Sequence, residues 1–370
     1  MTVEDAASGN QHRGGRTSRG IRRVLGLLAF LLVLEYLVLP QLAGTRKAIH
    51  LLGRIQPAWV AAGFLLEAAA LGAYAQLTRS LLPRVGRPSL GTLARIQLST
   101  LAVSHVVPAG SAAGTGLGYD LMTRSGVRGP DAGFALGAQG LGSAIVLNLL
   151  LWVGLVVSIP VRGFNPLYVT AAVVGVVLMA AFAAAVLSLT LREARTTTVL
   201  RAVVRRMPFF GEESVQRIVH QLADRLRQLG GDRNLLIRAA GWALTNWLLD
   251  LASLWVFLTA FGGAPALDAI LVAYGLANVL GAIPVTPGGL GIIEGVLIPT
   301  LVGFGSPRGI ALLGVAAWRL VNFWLPIPVG AVAYLSLRAK EASTLSATAR
   351  LGELAERAAR EGRRRKDPLT

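Results

Sequence analysis

The sequence contains no cysteine and little charge for its length. Of its 370 residues only 15% are charged, against about 25% in soluble domains, and this deficit excludes an ordinary water-soluble protein. Without cysteine the chain forms no disulfide, no thiolate metal site and no cysteine nucleophile. Its four histidines are scattered without the spacing of metal ligands, so we expect no metal and no cofactor.

Acidic residues are also scarce, because 36 Lys and Arg stand against 19 Asp and Glu, a formal net charge of +17. In a soluble chain this excess would suggest nucleic acid as a partner. Here the basic residues lie in tails and loops beside apolar runs, and 54% of all residues are hydrophobic. We therefore predict contact with anionic headgroups of the inner leaflet rather than with nucleic acid.

Apolar runs of about twenty residues, the length of a membrane-crossing helix, predict an all-α polytopic membrane protein. Two further apolar stretches, 92–122 and 267–304, are broken in the middle by Pro and Gly, and neither half of either stretch is long enough to cross alone. The six runs that are long enough are 24–42, 59–77, 132–159, 167–191, 239–261 and 309–337.

The positions of Arg and Lys predict the orientation, because basic loops next to spans stay in the cytoplasm. The amphipathic loop 192–238 carries ten arginines, and the tails 1–20 and 339–370 are basic. We expect a plasma-membrane protein with a membrane domain at 21–338 and both termini in the cytoplasm. An even number of crossings between basic loops then makes both broken stretches re-entrant hairpins, inserted from opposite sides as in inverted-repeat transporters.

The first break contains Pro108 and Gly110, which favour a restarted helix whose free N–H groups could hold a phosphate. A second interpretation stays open, because Gly110, Gly114 and Gly118 recur every four residues, the spacing of close helix packing. Packing explains these glycines better than contact with a ligand does.

The second break is followed by an acidic residue at membrane depth. Pro287, Gly288, Gly289 and Gly291 precede Glu294, and a charge facing lipid there costs about 2.5 kcal/mol or more. Arg319, about ten residues into the last span, is its natural partner, because an arginine so deep cannot readily reach water. We predict that the two side chains pair.

The run from Thr286 to Glu294, followed by Arg319, Trp324 and Pro326, resembles the lysylphosphatidylglycerol synthase transmembrane family, which includes the flippase-like part of multiple peptide resistance factor proteins. The resemblance implies transfer of an anionic or aminoacylated phospholipid, or a related polyprenyl lipid, between leaflets. It also implies substrate-binding roles for Pro287, Gly288, Gly289, Gly291, Glu294 and Arg319, and for Pro108 and Gly110 in the first hairpin.

This chain departs from the relatives at two places. Tyr119 stands where they often have Arg, and Gln139 and Gly140 stand where they have a Glu-Arg pair. The identity of the lipid is therefore open. No synthase domain is attached, so we expect no lipid synthesis.

Polar residues inside other spans supply further candidates. Asp250 lies mid-span between Asn246 and Ser253 on one helical face, and Asn322 lies near Arg319; we include Asp250 and Asn322 among the substrate contacts. Glu67 could form an ion pair or stay protonated.

The leading hypothesis is a flippase-like carrier whose substrate phosphate binds Arg319 and the hairpin N-termini. The alternatives are an ion-coupled transporter of a small anion and a non-transporting accessory subunit of a membrane glycosyltransferase or lipid synthase. No catalytic constellation is visible, so we expect no enzyme. The oligomeric state is left open by the sequence.

Overall fold

The structure is a computed structural model that describes residues 57–107, 110–162, 232–263, 265–282 and 286–341, with several helical positions between 168 and 184. The predicted span 24–42, most of the span 167–191, loop residues 192–231, the tail 1–20, residues 342–370 and Pro108 lie outside the described residues. Within the described part every regular element is helical.

Eight helices organise the described residues. A 3₁₀ turn, Pro287–Gly289, lies between α6 and α7, and a π-helical turn, Leu320–Trp324, lies inside α8. The helices are α1 Pro57–Leu81, α2 Leu90–Val106, α3 Gly110–Arg124, α4 Gly129–Arg162, α5 Arg233–Ala260, α6 Leu267–Gly281, α7 Ile292–Gly303 and α8 Arg308–Glu341.

Four of these helices, α1, α4, α5 and α8, are long and apolar enough to cross a membrane. They correspond to the predicted spans 59–77, 132–159, 239–261 and 309–337. The structure corrects one boundary, because residues 233–238, predicted to end the amphipathic loop, already belong to α5. Asp232 begins the helix there, since its Oδ1 accepts a hydrogen bond from the Leu235 amide at 2.9 Å and so satisfies a free N-terminal donor.

The other four helices form two pairs of short helices that pack against each other, α2 with α3 and α6 with α7. The longest of them, α2, has 17 residues, or about 25 Å at 1.5 Å per residue. Within each pair, one of the predicted breaks separates the two helices. Three of the four glycines of α3 lie against α2: a Cβ on Gly110 or Gly114 would overlap Ser104, and one on Gly118 would lie 3.2 Å from Thr100 Oγ1.

The described core consists of two apolar clusters. One gathers α1 to α4 around Leu93, Ile96 and Met122. The other gathers α4 to α8 around Phe257, Tyr274 and Trp318, all fully buried. Because Tyr274 and Trp318 carry polar atoms, this second cluster supplies hydrogen-bond donors to the site described next.

Candidate functional site

The second break is built from glycines that no other residue could replace without strain. Gly288, Gly289 and Gly291 have φ angles of 54°, 69° and 82°, in the region that favours glycine. A Cβ on Gly288 would lie 2.5 Å from Phe323 Cε2 and 2.7 Å from His105 Cδ2. The missing side chain therefore lets the break touch both α2 and the π-helical turn of α8.

The end of α2, at the first break, contacts the same π-helical turn. His105, near the end of α2, stacks on the Phe323 ring with centroids 4.3 Å apart. Its Nδ1 lies 2.9 Å from the Phe323 carbonyl oxygen; since a carbonyl only accepts, Nδ1 carries the proton and donates. The ends of α2, the 3₁₀ turn and the π-helical turn thus meet at one point.

The π-helical turn ends directly before Leu325 and Pro326. Proline has no N–H, so it cannot donate to the carbonyl four residues earlier. The Leu325 amide instead donates to the Leu320 carbonyl at 2.9 Å, five residues back. Such widened turns occur often at functional sites, and this one presents Asn322 and Phe323 beside Arg319.

Arg319 and Glu294 form the predicted ion pair. Their side chains are 5% and 9% exposed, and Arg319 Nε donates to Glu294 Oε1. The other carboxylate oxygen, Oε2, accepts from the Gly291 amide at 2.7 Å. Glu294 therefore holds Arg319 and at the same time caps the start of α7.

This cap bears on the N-terminus of the second hairpin. The carboxylate of Glu294 occupies one of its donors, the Gly291 amide, as an anion near a helix N-terminus does. That this N-terminus also holds a substrate phosphate stays a prediction.

The guanidinium of Arg319 keeps donors for a ligand. Its Nη2 donates to the Gly288 carbonyl at 3.3 Å, and its Cζ lies 4.5 Å from the centre of the Phe323 ring. Among the described residues Nη1 donates no hydrogen bond, whereas Nε and Nη2 each donate one. Because arginine carries five N–H donors in a fixed plane, this edge is left to bind an anion.

Asp250 is buried at 6% exposure, and both of its oxygens accept hydrogen bonds. The Tyr274 hydroxyl donates to Oδ2 at 2.6 Å, and Trp318 Nε1 donates to Oδ1 at 2.7 Å. Asn322 Nδ2 lies 3.2 Å from Oδ1 of Asp250 and 2.7 Å from Oε1 of Glu67. One amide therefore bridges two carboxyl groups of different helices.

These groups surround a cavity of about 470 Å³, within the range of about 300–1,000 Å³ for ligand sites. Of the residues predicted to bind substrate, Gly288, Asp250, Arg319 and Asn322 line it. Glu294, Pro287, Gly289, Gly291 and Gly110 do not line it, and Pro108 is outside the described residues. The cavity wall also contains Glu67, Tyr74, His105 and Trp247.

Several polar residues that the sequence analysis singled out form hydrogen bonds between helices. Asn246 and Ser253 donate to the carbonyls of Ala70 and Gly63, at 3.0 Å each, and so join α5 to α1. Gln139 accepts from the Thr78 hydroxyl at 2.6 Å. Neither Gln139 nor Tyr119 lines the cavity, so both departures from the relatives lie away from it.

The sequence reasoning missed Tyr274, Trp318 and Phe323 as parts of the site. Only the positions of two of them hinted at a role. Trp318 directly precedes Arg319, and Tyr274 carries the one hydroxyl group of α6. Metal ligands are not grouped here, since no cluster of three His, Asp or Glu side chains occurs among the residues the structure describes.

Comparison with known proteins agrees with this membrane architecture. Two UPF0104 membrane proteins of Methanothermobacter thermautotrophicus are 27% identical over 122 residues and 24% identical over 139 residues. The matches cover 33% and 36% of this chain and 36% and 41% of the relatives, so the chain matches less than half of their length. The pattern of the lysylphosphatidylglycerol synthase TM region matches residues 23–330, and the chain therefore belongs to that family of membrane proteins.

Proposed function

We propose that the chain is a flippase-like carrier that moves the headgroup of a membrane lipid between leaflets through the cavity. The observation that carries this proposal is the meeting of two helix breaks beside a buried guanidinium. Interrupted helices that meet near the midplane hold the substrate in inverted-repeat transporters. The volume of about 470 Å³ suits a headgroup, while the acyl chains stay in the surrounding lipid.

The substrate phosphate binds the free edge of Arg319. Charge-assisted bonds from a guanidinium to phosphate are strong and directional, and Glu294 holds the guanidinium from behind so that it does not turn away. Asp250 and Glu67 lie on the same wall. Two carboxyl groups on the wall, with Glu294 behind Arg319, leave the described site without an excess of positive charge. This favours a headgroup that carries an ammonium beside its phosphate over a small anion.

The membrane topology belongs to the same proposal. We infer six crossings and two re-entrant hairpins inserted from opposite sides, in the plasma membrane with both termini in the cytoplasm. Support comes from the four long helices and the two short pairs, α2–α3 and α6–α7, that meet at their breaks. The basic tails bind anionic inner-leaflet headgroups, and the role is transport rather than catalysis.

The test is lipid exchange in reconstituted vesicles. Phosphatidylethanolamine or phosphatidylglycerol labelled on one acyl chain is incorporated, and the fraction accessible to an impermeant quencher is followed over time. We expect faster exchange with the protein than in protein-free vesicles. Equal rates would overturn the proposed function.

A pair of matched variants links the exchange to this cavity. Ala68 lines the cavity, whereas its neighbour Ala69 does not, and both are exposed. Ala68→Trp fills the passage and should slow exchange at least several-fold, while Ala69→Trp should match the wild type. Arg319→Lys keeps the charge opposite Glu294 but loses the planar donor edge, so it should fold and exchange slowly. Equal rates for both tryptophan variants would place the route elsewhere.

A further inference from the structure

Two carboxyl groups of the cavity wall share one hydrogen-bond donor. Asn322 Nδ2 donates to Oε1 of Glu67 on α1 at 2.7 Å and to Oδ1 of Asp250 on α5 at 3.2 Å. Two carboxylates gathered around a single amide repel each other, so they cannot both ionise readily. One of the two groups therefore holds a proton.

The hydrogen-bond partners decide which group carries the proton. Asp250 accepts from Tyr274, Trp318 and Asn322, so both of its oxygens are stabilised as an anion. Glu67 accepts on Oε1 only, and its Oε2 is buried without a donor. A proton on Glu67 Oε2 supplies the hydrogen that this buried oxygen lacks and removes the repulsion between the two carboxylates.

The other groups near the pair do not change which carboxyl group carries the proton. The Ser253 hydroxyl, which lies close to Glu67, donates to the Gly63 carbonyl. The α4 helix contributes only Ser143 to the described wall, and Glu294 of α7 is held by Arg319. The remaining ionisable groups around the cavity are Tyr74 on α1, His105 on α2 and Tyr274 on α6.

We propose that Glu67 and Asp250 form a proton-binding site whose proton is exchanged during transport. The O–H bond of Glu67 breaks, the proton passes to water in the cavity, and the pair then carries two negative charges. The ammonium of an entering headgroup can balance the second charge, and the proton returns when that headgroup leaves. The coupling rests on the carrier function proposed above, whereas the proton site itself does not.

Infrared spectroscopy of the purified full chain in lipid nanodiscs tests the site without any transport. At pH 7 the wild type should show a protonated-carboxyl band that shifts in D₂O. Both Glu67→Gln and Asp250→Asn should lose it, because each variant removes the acid pair while keeping a neutral amide in its place. The surface variant Glu341→Gln should keep the band. A spectrum of Glu67→Gln identical to that of the wild type would overturn the proposed site.

A pH difference across reconstituted vesicles tests the coupling. The initial rate of labelled phosphatidylethanolamine exchange should change several-fold when the difference is imposed on the wild type. Glu67→Gln should exchange lipid at a rate that no longer responds. Exchange that is insensitive to pH in the wild type would refute the coupling and leave the carrier standing. Absence of any exchange would refute the carrier, while the infrared result would still decide the proton site.

Discussion

Removing the negative charge of Glu294 should destabilise the protein strongly while leaving its shape almost unchanged. Glu294→Gln replaces one oxygen by an amide group of similar size. Arg319 then keeps the Gly288 carbonyl and the rings of Phe323 and Trp318 as partners, none of which carries a negative charge. Breaking a buried ion pair by removing one member costs about 3–5 kcal/mol, because a charge is left buried without compensation.

The structure separates this charge effect from the helix cap. The two side chains of the pair are only 5% and 9% exposed, so little water reaches the place of the lost carboxylate. The glutamine oxygen can still accept from the Gly291 amide, which Glu294 Oε2 meets at 2.7 Å. Glu294→Ala loses that acceptor as well and should cost roughly 1 kcal/mol more.

The assay is unfolding of the purified protein in mixed micelles with increasing denaturing detergent, followed by tryptophan fluorescence. A double variant, Glu294→Gln with Arg319→Gln, should be more stable than the single glutamate variant because no unpaired charge remains. Glu341→Gln removes an acid from the exposed ion pairs with Arg124 and Arg338 and should change little.

Two outcomes would refute this reasoning. If Glu294→Gln loses less than about 1 kcal/mol, the pair behaves like a surface ion pair. If the double variant is as unstable as the sum of its single variants, the two residues are not coupled. Either result would mean that the guanidinium reaches water or another carboxylate.

Three further variants probe the surroundings, each by the same unfolding assay. Gly288→Ala places a Cβ 2.5 Å from Phe323 Cε2 at a φ of 54° and should cost about 1–3 kcal/mol, whereas Gly72→Ala, with nothing within 4 Å, should be neutral or slightly stabilising. Trp318→Phe removes a donor to Asp250 and should cost about 1–3 kcal/mol, whereas Trp242→Phe, 37% exposed, should cost little. Asp232→Ala removes the cap of α5 and should cost about 1 kcal/mol.

The sequence was sufficient for the features that depend on composition along the chain. Spans such as 132–159 were predictable because an apolar run of that length has few other stable locations. The two breaks were predictable because proline and glycine interrupt helices wherever they occur together. The pairing of Arg319 with Glu294 was predictable because few charged residues lie at that depth of the membrane, and each needs a partner of opposite charge.

Contacts that depend on how helices are rotated against each other could not be predicted. Asp250 shares a helical face with Asn246 and Ser253, yet the latter two bond to carbonyls of α1 while Asp250 meets Tyr274 and Trp318. A one-residue change rotates a helical face by about 100°, so one sequence does not fix these partners. The π-helical turn was missed because the effect of Pro326 depends on its tertiary neighbours.

Stability alone does not explain this site. A buried ion pair is often no more stable than apolar residues of the same volume, and here Arg319 and Glu294 accompany two more carboxyl groups around an open cavity. Apolar residues that filled this space would remove the cavity, the need for three positive-φ glycines and the desolvated charges together. The chain instead keeps Gly288 free of a side chain so that His105 and Phe323 can close on it. The carrier function that we propose would account for these costs together, because a passage for a charged headgroup needs both the space and the fixed donors.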